Sequence, residues 1–231
     1  MKKVLIIIPA YNESRNIEKT VEDIKNNAPE VDYMVINDGS KDDTIEVVKK
    51  LHYNYIDGFC NLGLFGAVQT GFQYALENDY DIAIQFDGDG QHSAKYISTL
   101  VKEIENGSDI VIGSRFVTEK KPVTARMLGS RLISFLIKLT TGQTIKDPTS
   151  GFRAYDRDCI KEYARSINNP PEPDTLVFMI KKGKKITEVQ VEMNDREFGE
   201  SYLNLINTIK YMGRMVISIL FIQPFRKRGK K

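Results

Sequence analysis

The acidic run Asp87-Gly88-Asp89-Gly90-Gln91-His92 contains the residue types that most directly suggest chemistry. Its two carboxylates stand two positions apart, and the neighbouring glycines permit a tight turn that can direct both toward one point. Divalent cations such as Mg²⁺ and Mn²⁺ take oxygen ligands, and the Gln91 amide oxygen can supply another. The run therefore predicts a cation held by Asp87, Asp89 and Gln91, with diphosphate oxygens and water completing its coordination.

Other interpretations of the same run are weaker or remain open. An Asp-Gly turn without any ligand is common, and it would explain an isolated Asp-Gly-Asp equally well. A calcium-binding EF-hand loop needs an acidic ligand at its twelfth position, which counting from Asp87 is Ser98, so this possibility fails. His92 alone is more typical of a structural hydrogen-bonding residue than of a metal ligand.

The elements that would position this run alternate between strands and helices up to about residue 115. Buried apolar runs predict the strands, and apolar residues at helical spacing predict the helices. This alternation is typical of an α/β fold with a mostly parallel sheet. The predicted strands are 4–8, 33–36, 53–56, 81–86 and 110–113, and the predicted helices are 16–26, 42–51, 67–77 and 96–105.

Polar clusters follow four of these strands, after Ile8, Ile36, Phe86 and Ile112. Parallel strands end at the same edge of a sheet, and open α/β sheets bind ligands at that edge. The acidic run is therefore expected to share one site with the residues that follow the other three strands.

The alternation changes after residue 115, although no linker or repeat interrupts the chain. We predict a helix at 125–139, a turn-rich segment at 147–153 that leads into a strand at 154–155, a helix at 175–182, a strand at 186–193 and a final helix at 203–222. We interpret residues 1–201 as one domain, divided into a half at 1–115 and a half at 116–201. Residues 202–231 form a C-terminal helix and basic tail.

Several motifs occur in order along the chain and together resemble a known family. They are Ile7-Ile8-Pro9-Ala10-Tyr11-Asn12-Glu13, Ile36-Asn37-Asp38-Gly39-Ser40, Asn61-Leu62-Gly63, the acidic run, Gly113-Ser114-Arg115, Asp147-Pro148-Thr149-Ser150-Gly151-Phe152-Arg153 and Arg196-Glu197-Phe198-Gly199-Glu200-Ser201. The sequence resembles family 2 glycosyltransferases of the GT-A fold, in the branch of dolichyl-phosphate mannose synthase and bacterial polyprenyl-phosphate glycosyltransferases. The resemblance covers residues 4–201 and implies a Rossmann-like sheet flanked by helices.

The resemblance implies how a nucleotide-sugar would be bound. Asp38 would bind the base, a role that suits a carboxylate facing ring N–H groups. Cys60 stands where the family usually has an arginine, so any contact made by that arginine is in doubt. The residues expected around the nucleotide-sugar are Pro9, Ala10, Tyr11, Glu13, Asp38, Asn61, Gly63, Asp87, Gly88 and Asp89.

Arginines are the expected ligands of the phosphate groups, because the planar guanidinium can bond two oxygens at once. The family pattern supports Arg115, Arg126, Arg153 and Arg196, with Ser130 and Ser201 beside them, whereas Arg131 fits a surface or lipid-headgroup position. We expect direct displacement with inversion at the sugar, and the catalytic residues Asp89, Asp147, Arg153 and Arg196.

The acceptor decides whether a general base is needed. A phosphate acceptor is already anionic, whereas a sugar hydroxyl must lose a proton to a carboxylate. Asp147 and Glu172 are the candidate bases, and Asp147 is favoured because it begins the 147–153 motif. A simple turn at Asp147-Pro148 explains this aspartate equally well.

Charge and hydropathy favour a membrane surface over nucleic acid. The net charge is only +2, but residues 226–231 carry five positive charges, and helix 125–139 places leucines and Phe135 between basic residues. Such helices can lie at a bilayer interface, although core packing or a contact in a homo-oligomer explains the same pattern. Nothing resembles a signal peptide or an apolar run long enough to span a bilayer. Cys60 and Cys159 suit a reducing compartment, and we expect a peripheral protein on the cytoplasmic face of the membrane.

The favoured hypothesis is transfer of a hexose from a nucleotide-sugar, UDP rather than GDP by the resemblance, to a polyprenyl phosphate with Mg or Mn as cofactor. One alternative is transfer to a glycan hydroxyl in cell-surface polysaccharide synthesis. Another is a non-catalytic module that only binds the nucleotide-sugar. A dinucleotide-dependent oxidoreductase is disfavoured because no Gly-x-Gly-x-x-Gly follows the first strand.

Overall fold

A computed structural model describes residues 2–165, 171–195, 198 and 205–226. The strands within these residues are β1 (Val4–Ala10), β2 (Asp32–Asn37), β3 (Tyr55–Asp57), β4 (Ile82–Gln85), β5 (Ile110–Ser114), β6 (Arg153–Asp156) and β7 (Ile186–Gln190). The α-helices are α1 (Ile17–Asn27), α2 (Thr44–Lys50), α3 (Gly63–Glu77), α4 (Ile97–Glu105), α5 (Ala125–Thr141), α6 (Arg157–Arg165), α7 (Pro173–Lys181) and α8 (Leu205–Ile217).

All of these strands join one sheet in the order β3-β2-β1-β4-β6-β5-β7. The pairs β1–β2, β1–β4, β2–β3 and β5–β7 are parallel, whereas β6 runs antiparallel between β4 and β5. The predicted mostly parallel α/β sheet is therefore confirmed. Because β6 runs the opposite way, its first residue, Arg153, lies at the edge where the other strands end.

Apolar layers cover both faces of the sheet. All seven residues of β1 are buried, as its continuous apolar sequence predicts. Leu5 and Ile7 pack on one face with α3, α5, α6, α7 and α8, whereas Ile6 and Ile8 pack on the other face with α1, α2 and α4. A Cβ on Gly71 would lie 2.3 Å from the Ile7 side chain, so the small residues of α3 do allow this helix to pack closely on the sheet.

The two expected halves share the same sheet, since β6 of the second half lies between β4 and β5 of the first. Helix α6 is not predicted from the sequence. Its nine residues are rich in charge, and only Cys159, Ile160, Tyr163 and Ala164 are buried, a short amphipathic pattern that is easily missed. Helix α3 begins at Gly63, four residues before its expected start, and β7 ends at Gln190 rather than at 193.

The final helix also differs from the prediction. Helix α8 ends at Ile217 and continues as a π-helical turn, Ser218–Ile222, and a 3₁₀ turn, Gln223–Phe225. The buried Asp174 carboxylate on α7 accepts hydrogen bonds from Ser218 Oγ (2.5 Å) and Gln223 Nε2 (2.9 Å), which fixes the turns against the domain. The expected start of this helix at 203 lies outside the described residues. No helix in the described part of the chain is long and apolar enough to cross a membrane.

Candidate active site

The loops after β1 and β2 are joined by hydrogen bonds at the carboxyl edge of the sheet. Asn12 adopts a left-handed backbone with φ of 57°, a conformation that asparagine tolerates better than most residues. Its backbone N–H donates to Ser40 Oγ at 3.0 Å, and its side-chain oxygen accepts from the Lys41 N–H at 2.8 Å. Farther along, the Glu13 N–H donates to Thr44 Oγ1 at 2.9 Å. These bonds fix the loops after β1 and β2 against each other, and we call the two loops together the wall of the site.

Asp38 directly follows β2 and is buried. Its Oδ1 accepts a hydrogen bond from the Leu62 N–H at 2.8 Å, and burial raises the pKa of the carboxyl above its ordinary value. Gly39 has φ of 64°, and a Cβ there would lie 2.7 Å from the Cys60 carbonyl carbon. The segment that contains Cys60, Asn61 and Leu62 can therefore close over Asp38 only because residue 39 is glycine.

The other residues expected at the nucleoside lie at the end of β1, in the loop that follows it, and after β3. Pro9, Ala10 and Glu13 are buried, whereas Tyr11 is 39% exposed. The Glu13 carboxylate accepts a hydrogen bond from Asn16 Nδ2 at 2.6 Å. Asn61 and Gly63 meet in a turn, since the Gly63 N–H donates to Asn61 Oδ1 at 3.0 Å.

The acidic run follows β4 at the same edge. The Asp87 side chain is 28% exposed, and its Oδ1 accepts from Gln85 Nε2 at 3.0 Å. A Cβ on Gly151 would lie 2.7 Å from Asp87 Oδ2, so this glycine leaves the space that the carboxylate occupies. Gly88 donates its N–H to the Pro9 carbonyl at 3.2 Å, which attaches the acidic run to the wall beside β1.

Asp89 and Gln91 form the outer part of the acidic run. The Gln91 N–H donates to Asp89 Oδ1 at 3.1 Å across the turn, and Gly90 within this turn has φ of 75°. In the described part of the chain, no group of three or more His, Cys, Asp or Glu side chains is placed to hold a metal ion. The partly exposed Asp87 carboxylate, together with Asp89, fits a hard cation that takes its other ligands from a bound molecule and water.

His92 lies in the protein interior, where it contacts the acidic run and two aromatic rings. Its imidazole is buried and stacks on Phe152 at 5.0 Å, with Phe86 in edge contact at 5.3 Å. Nδ1 accepts a hydrogen bond from the Asp87 backbone N–H at 3.0 Å, which assigns the proton of a neutral ring to Nε2. His92 therefore positions Asp87 through the backbone, as expected of a structural hydrogen-bonding residue.

Arg115 and Asp147 form a two-pronged ion pair beside β5. Arg115 Nε donates to Asp147 Oδ2 at 2.8 Å, and Nη2 donates to Oδ1 at 2.9 Å. The aspartate is fully buried, whereas the arginine side chain is 23% exposed. Both Asp147 oxygens are therefore engaged, which fits a residue that orients Arg115. It does not fit the general base expected from the sequence.

Arg153 also differs from its expected phosphate-binding and catalytic roles. It is 2% exposed, and its guanidinium donates to the backbone carbonyls of Ser150, Pro171 and Pro148 at 2.6–2.9 Å. A guanidinium fork matches three convergent carbonyls as readily as phosphate oxygens, and burial adds a cost that these bonds offset. We therefore give Arg153 a structural role, as the residue that fixes the 147–153 segment.

The remaining expected phosphate-binding residues lie partly outside the described structure. Arg196 and Ser201 are outside the described residues, as is the side chain of Arg126. Ser130 on α5 is fully buried, and its Oγ lies 3.4 Å from Thr149 Oγ1. Lys121 Nζ donates to the same Ser130 Oγ at 2.8 Å. The sequence did not single out Lys121, since a lysine in a polar loop carries no pattern.

The mostly parallel sheet, with the acidic run and Arg115 at one edge, defines an α/β protein of the class that binds ligands at the carboxyl ends of its strands. Comparison with known proteins makes this specific, since the model of Glycosyl transferase family 2 matches residues 5–164. The chain belongs to this family and is a glycosyltransferase.

Characterised relatives and solved structures agree with this assignment. Undecaprenyl-phosphate mannosyltransferase of Micrococcus luteus is 32% identical over 87% of this chain and 88% of its own. Dolichol-phosphate mannosyltransferase of Pyrococcus furiosus is 34% identical over 91% of this chain and 62% of its own. Glucosyl-3-phosphoglycerate synthase of Mycobacterium tuberculosis, solved with Mn²⁺, UDP and phosphoglyceric acid, has a TM-score of 0.70 at 17% identity, over 99% of this chain and 80% of its own. The GT-A fold is thus confirmed.

Proposed function

We propose that this glycosyltransferase moves a hexose from a nucleotide-sugar, with UDP preferred to GDP, to the phosphate of a polyprenyl phosphate. The attacking phosphate oxygen forms a bond to the anomeric carbon as the bond to the donor diphosphate breaks. The sugar is inverted and the nucleoside diphosphate leaves. The names of two relatives support this choice, since one is an undecaprenyl-phosphate mannosyltransferase and the other a dolichol-phosphate mannosyltransferase.

One observation carries the proposal, namely that the 147–153 segment joins the two charged parts of the site. Gly151 lies against the Asp87 carboxylate, and Asp147 holds Arg115. Four residues of extended chain span at most about 14 Å, so a position for a cation and a phosphate-binding arginine lie within the reach of one donor and one acceptor phosphate.

The donor diphosphate is assigned to the acidic run, with Mg or Mn held by Asp87 and Asp89 and by the Gln91 amide. A bound cation supplies positive charge that stabilises a leaving diphosphate. Asp38 and the buried residues after β1 hold the nucleoside. The pair of Asp87 with Gly151 is the feature of this chain that supports a cation at the site.

A phosphate acceptor agrees with the state of the two candidate bases, Asp147 and Glu172. Both oxygens of Asp147 are engaged by Arg115. Glu172 has a pKa raised by burial, but it pairs with Arg214 at 2.8 Å. An anionic acceptor oxygen needs no base, whereas a hydroxyl acceptor would need one of these groups to be released.

We also propose that the protein lies on the cytoplasmic surface of an anionic membrane. Helix α5 exposes an apolar row, Leu128, Leu132, Phe135 and Leu139, and the C-terminal turns with the end of α8 expose Ile217, Phe221, Ile222 and Phe225. The two helices are neighbours, since a Cβ on Gly129 would lie 2.9 Å from the Met212 side chain. Exposed Arg131 and Lys138 lie on the same helix as the first row, and basic residues favour anionic lipid.

A reaction that offers two acceptors together tests the proposed function. Labelled nucleotide-sugars are incubated with undecaprenyl phosphate and an oligosaccharide in the presence of Mn²⁺. We expect label in the lipid fraction, and we expect chelation of the metal to prevent its transfer. Label found only in the oligosaccharide would support the glycan-building alternative and contradict the lipid phosphate acceptor.

A further inference from the structure

Lys121 lies in the loop between β5 and α5, and its contacts mark it as part of the site. Its ammonium donates to Ser130 Oγ at 2.8 Å and to Ser134 Oγ at 3.4 Å, both on α5. Burial lowers the pKa of Lys121, although the nearby Asp147 and Glu188 carboxylates act in the opposite direction. A lysine that only keeps a protein soluble extends into water, whereas the Lys121 ammonium is bound to a buried hydroxyl.

The charges around Lys121 do not cancel. Among the described side chains, the main electrostatic influences on Lys121 come from Asp147, Glu188, Arg115 and Arg131. With Lys121 itself, this group contains three cations and two carboxylates. Asp147 is committed to Arg115, and Glu188 accepts the Lys146 and Asp147 N–H groups at 2.6 and 2.7 Å. An excess of one positive charge remains.

Two hydroxyl groups, those of Ser130 and Thr149, lie between Lys121 and Asp147. Ser130 Oγ lies 3.4 Å from Thr149 Oγ1, and Thr149 Oγ1 donates to Asp147 Oδ1 at 3.3 Å. Hydroxyls and ammonium groups are donors that phosphate oxygens accept well, and charge-assisted bonds of this kind are the strong ones. A phosphate monoester carries up to two negative charges near neutral pH, and their sign is opposite to the excess charge of the cluster.

We propose that Lys121 binds the acceptor phosphate together with Arg115, and that it makes the enzyme select a phosphate monoester dianion over a neutral hydroxyl. The inference rests on the proposed transfer to a polyprenyl phosphate and adds a residue and a charge state to it. Ser130 and Ser134 hold the ammonium in the free enzyme, and the phosphate takes a share of its hydrogen bonds when the acceptor binds.

The test compares Lys121→Met and Lys121→Arg with Lys120→Met, which removes the same charge from the adjacent, exposed position. Steady-state kinetics use a short water-soluble polyprenyl phosphate and a nucleotide-sugar. We expect Lys121→Met to raise the acceptor KM roughly ten- to a hundredfold with little change in the donor KM, as the loss of a charge-assisted hydrogen bond predicts. Lys121→Arg should recover part of the loss, and Lys120→Met should resemble the wild type.

Inorganic phosphate gives a second readout that does not depend on turnover of the lipid. It should compete with the acceptor in the wild type, and its inhibition constant should rise in Lys121→Met by a similar factor. An unchanged acceptor KM in Lys121→Met, or an equal rise in Lys120→Met, would overturn the assignment of Lys121. A wild-type enzyme that transfers no sugar to the polyprenyl phosphate would instead overturn the proposed function on which the assignment rests.

Discussion

Single residues of the 147–153 segment determine what the acidic run can do. Asp87 keeps a partly exposed carboxylate because residue 151 has no side chain. Gln85 donates a hydrogen bond to this carboxylate, and His92 accepts one from the Asp87 backbone N–H. The groups that aim a metal ligand matter nearly as much as the ligand itself. The candidate cation site therefore depends on Gly151 as well as on its two aspartates.

Gly151→Ala tests this dependence. The added methyl group would lie 2.7 Å from Asp87 Oδ2 and would displace the carboxylate. We expect the concentration of Mn²⁺ needed for half-maximal activity to rise roughly ten- to a hundredfold, in line with other changes beside metal ligands. A titration of activity against Mn²⁺ measures this.

Gly213→Ala is the matched control, because a Cβ at this position in α8 meets nothing within 4 Å. This change should leave the metal requirement as it is and raise the free energy of unfolding by up to about 1 kcal/mol, since alanine is the better helix former. Equal metal dependence in Gly151→Ala and the wild type would show that Asp87 does not serve the cation.

The ionised Asp38 carboxylate is proposed to bind the nucleoside, but its burial makes the ionised form unfavourable for the stability of the fold. Burial raises the pKa of its carboxyl, so the ionised form is less favourable in the folded protein than in the unfolded chain. The neutral carboxyl therefore favours the folded state at low pH, and this contribution to the free energy of unfolding is lost as the pH rises through the raised pKa. Asp38→Asn removes this loss, and it retains an oxygen that can accept from the Leu62 N–H.

We expect Asp38→Asn without nucleotide to melt at a higher temperature than the wild type at pH 7, with the difference vanishing below about pH 4, where both side chains are neutral. The donor KM should rise roughly tenfold, since a neutral acceptor replaces a charged one. Thermal melts across this pH range and donor kinetics check both effects. Asp43→Asn, an exposed neighbour, should change neither. A lower melting temperature for Asp38→Asn at pH 7 would refute the account.

At the scale of elements, α5 and the C-terminal turns present the apolar rows that we assign to the membrane. Phe221→Glu should weaken binding to anionic phospholipid vesicles more than tenfold, because it removes an exposed aromatic side chain that would insert into the bilayer and adds a negative charge that anionic lipid repels. Tyr55→Glu, on the edge strand β3, serves as the control. Vesicle co-sedimentation measures both variants. Unchanged vesicle binding by Phe221→Glu would contradict the membrane assignment and would favour a protein partner for these apolar rows.

The local sequence predicts most helices and strands, but it does not predict turns that depend on contacts with residues far away in the chain. The apolar runs of β1 and β4 and the helical spacing in α1 and α4 suffice because these apolar residues are buried in the layers on the two faces of the sheet. The π-helical turn after Ile217 depends on Asp174, which lies 44 positions from Ser218. No local pattern reports such a contact, so a straight helix to 222 is predicted instead.

At the scale of the whole molecule, one sheet edge collects residues from positions 9 to 151. The sequence predicts this gathering for Asp38, Asp87 and Arg115, because each follows a strand of a parallel sheet. It does not predict the fate of Arg153, since residue type alone cannot distinguish a guanidinium that binds phosphate from one that binds buried carbonyls. The antiparallel β6 places Arg153 at the edge and also buries it.

The structure of the lipid product tests the central proposal most directly. The enzyme is incubated with an α-linked nucleotide-sugar, undecaprenyl phosphate and Mn²⁺, and the product is examined by mass spectrometry and NMR. Direct displacement by the acceptor phosphate predicts a phosphodiester that links lipid and sugar, with the anomeric configuration inverted to β. A retained α configuration, or a sugar attached to anything other than the phosphate, would contradict the proposed mechanism.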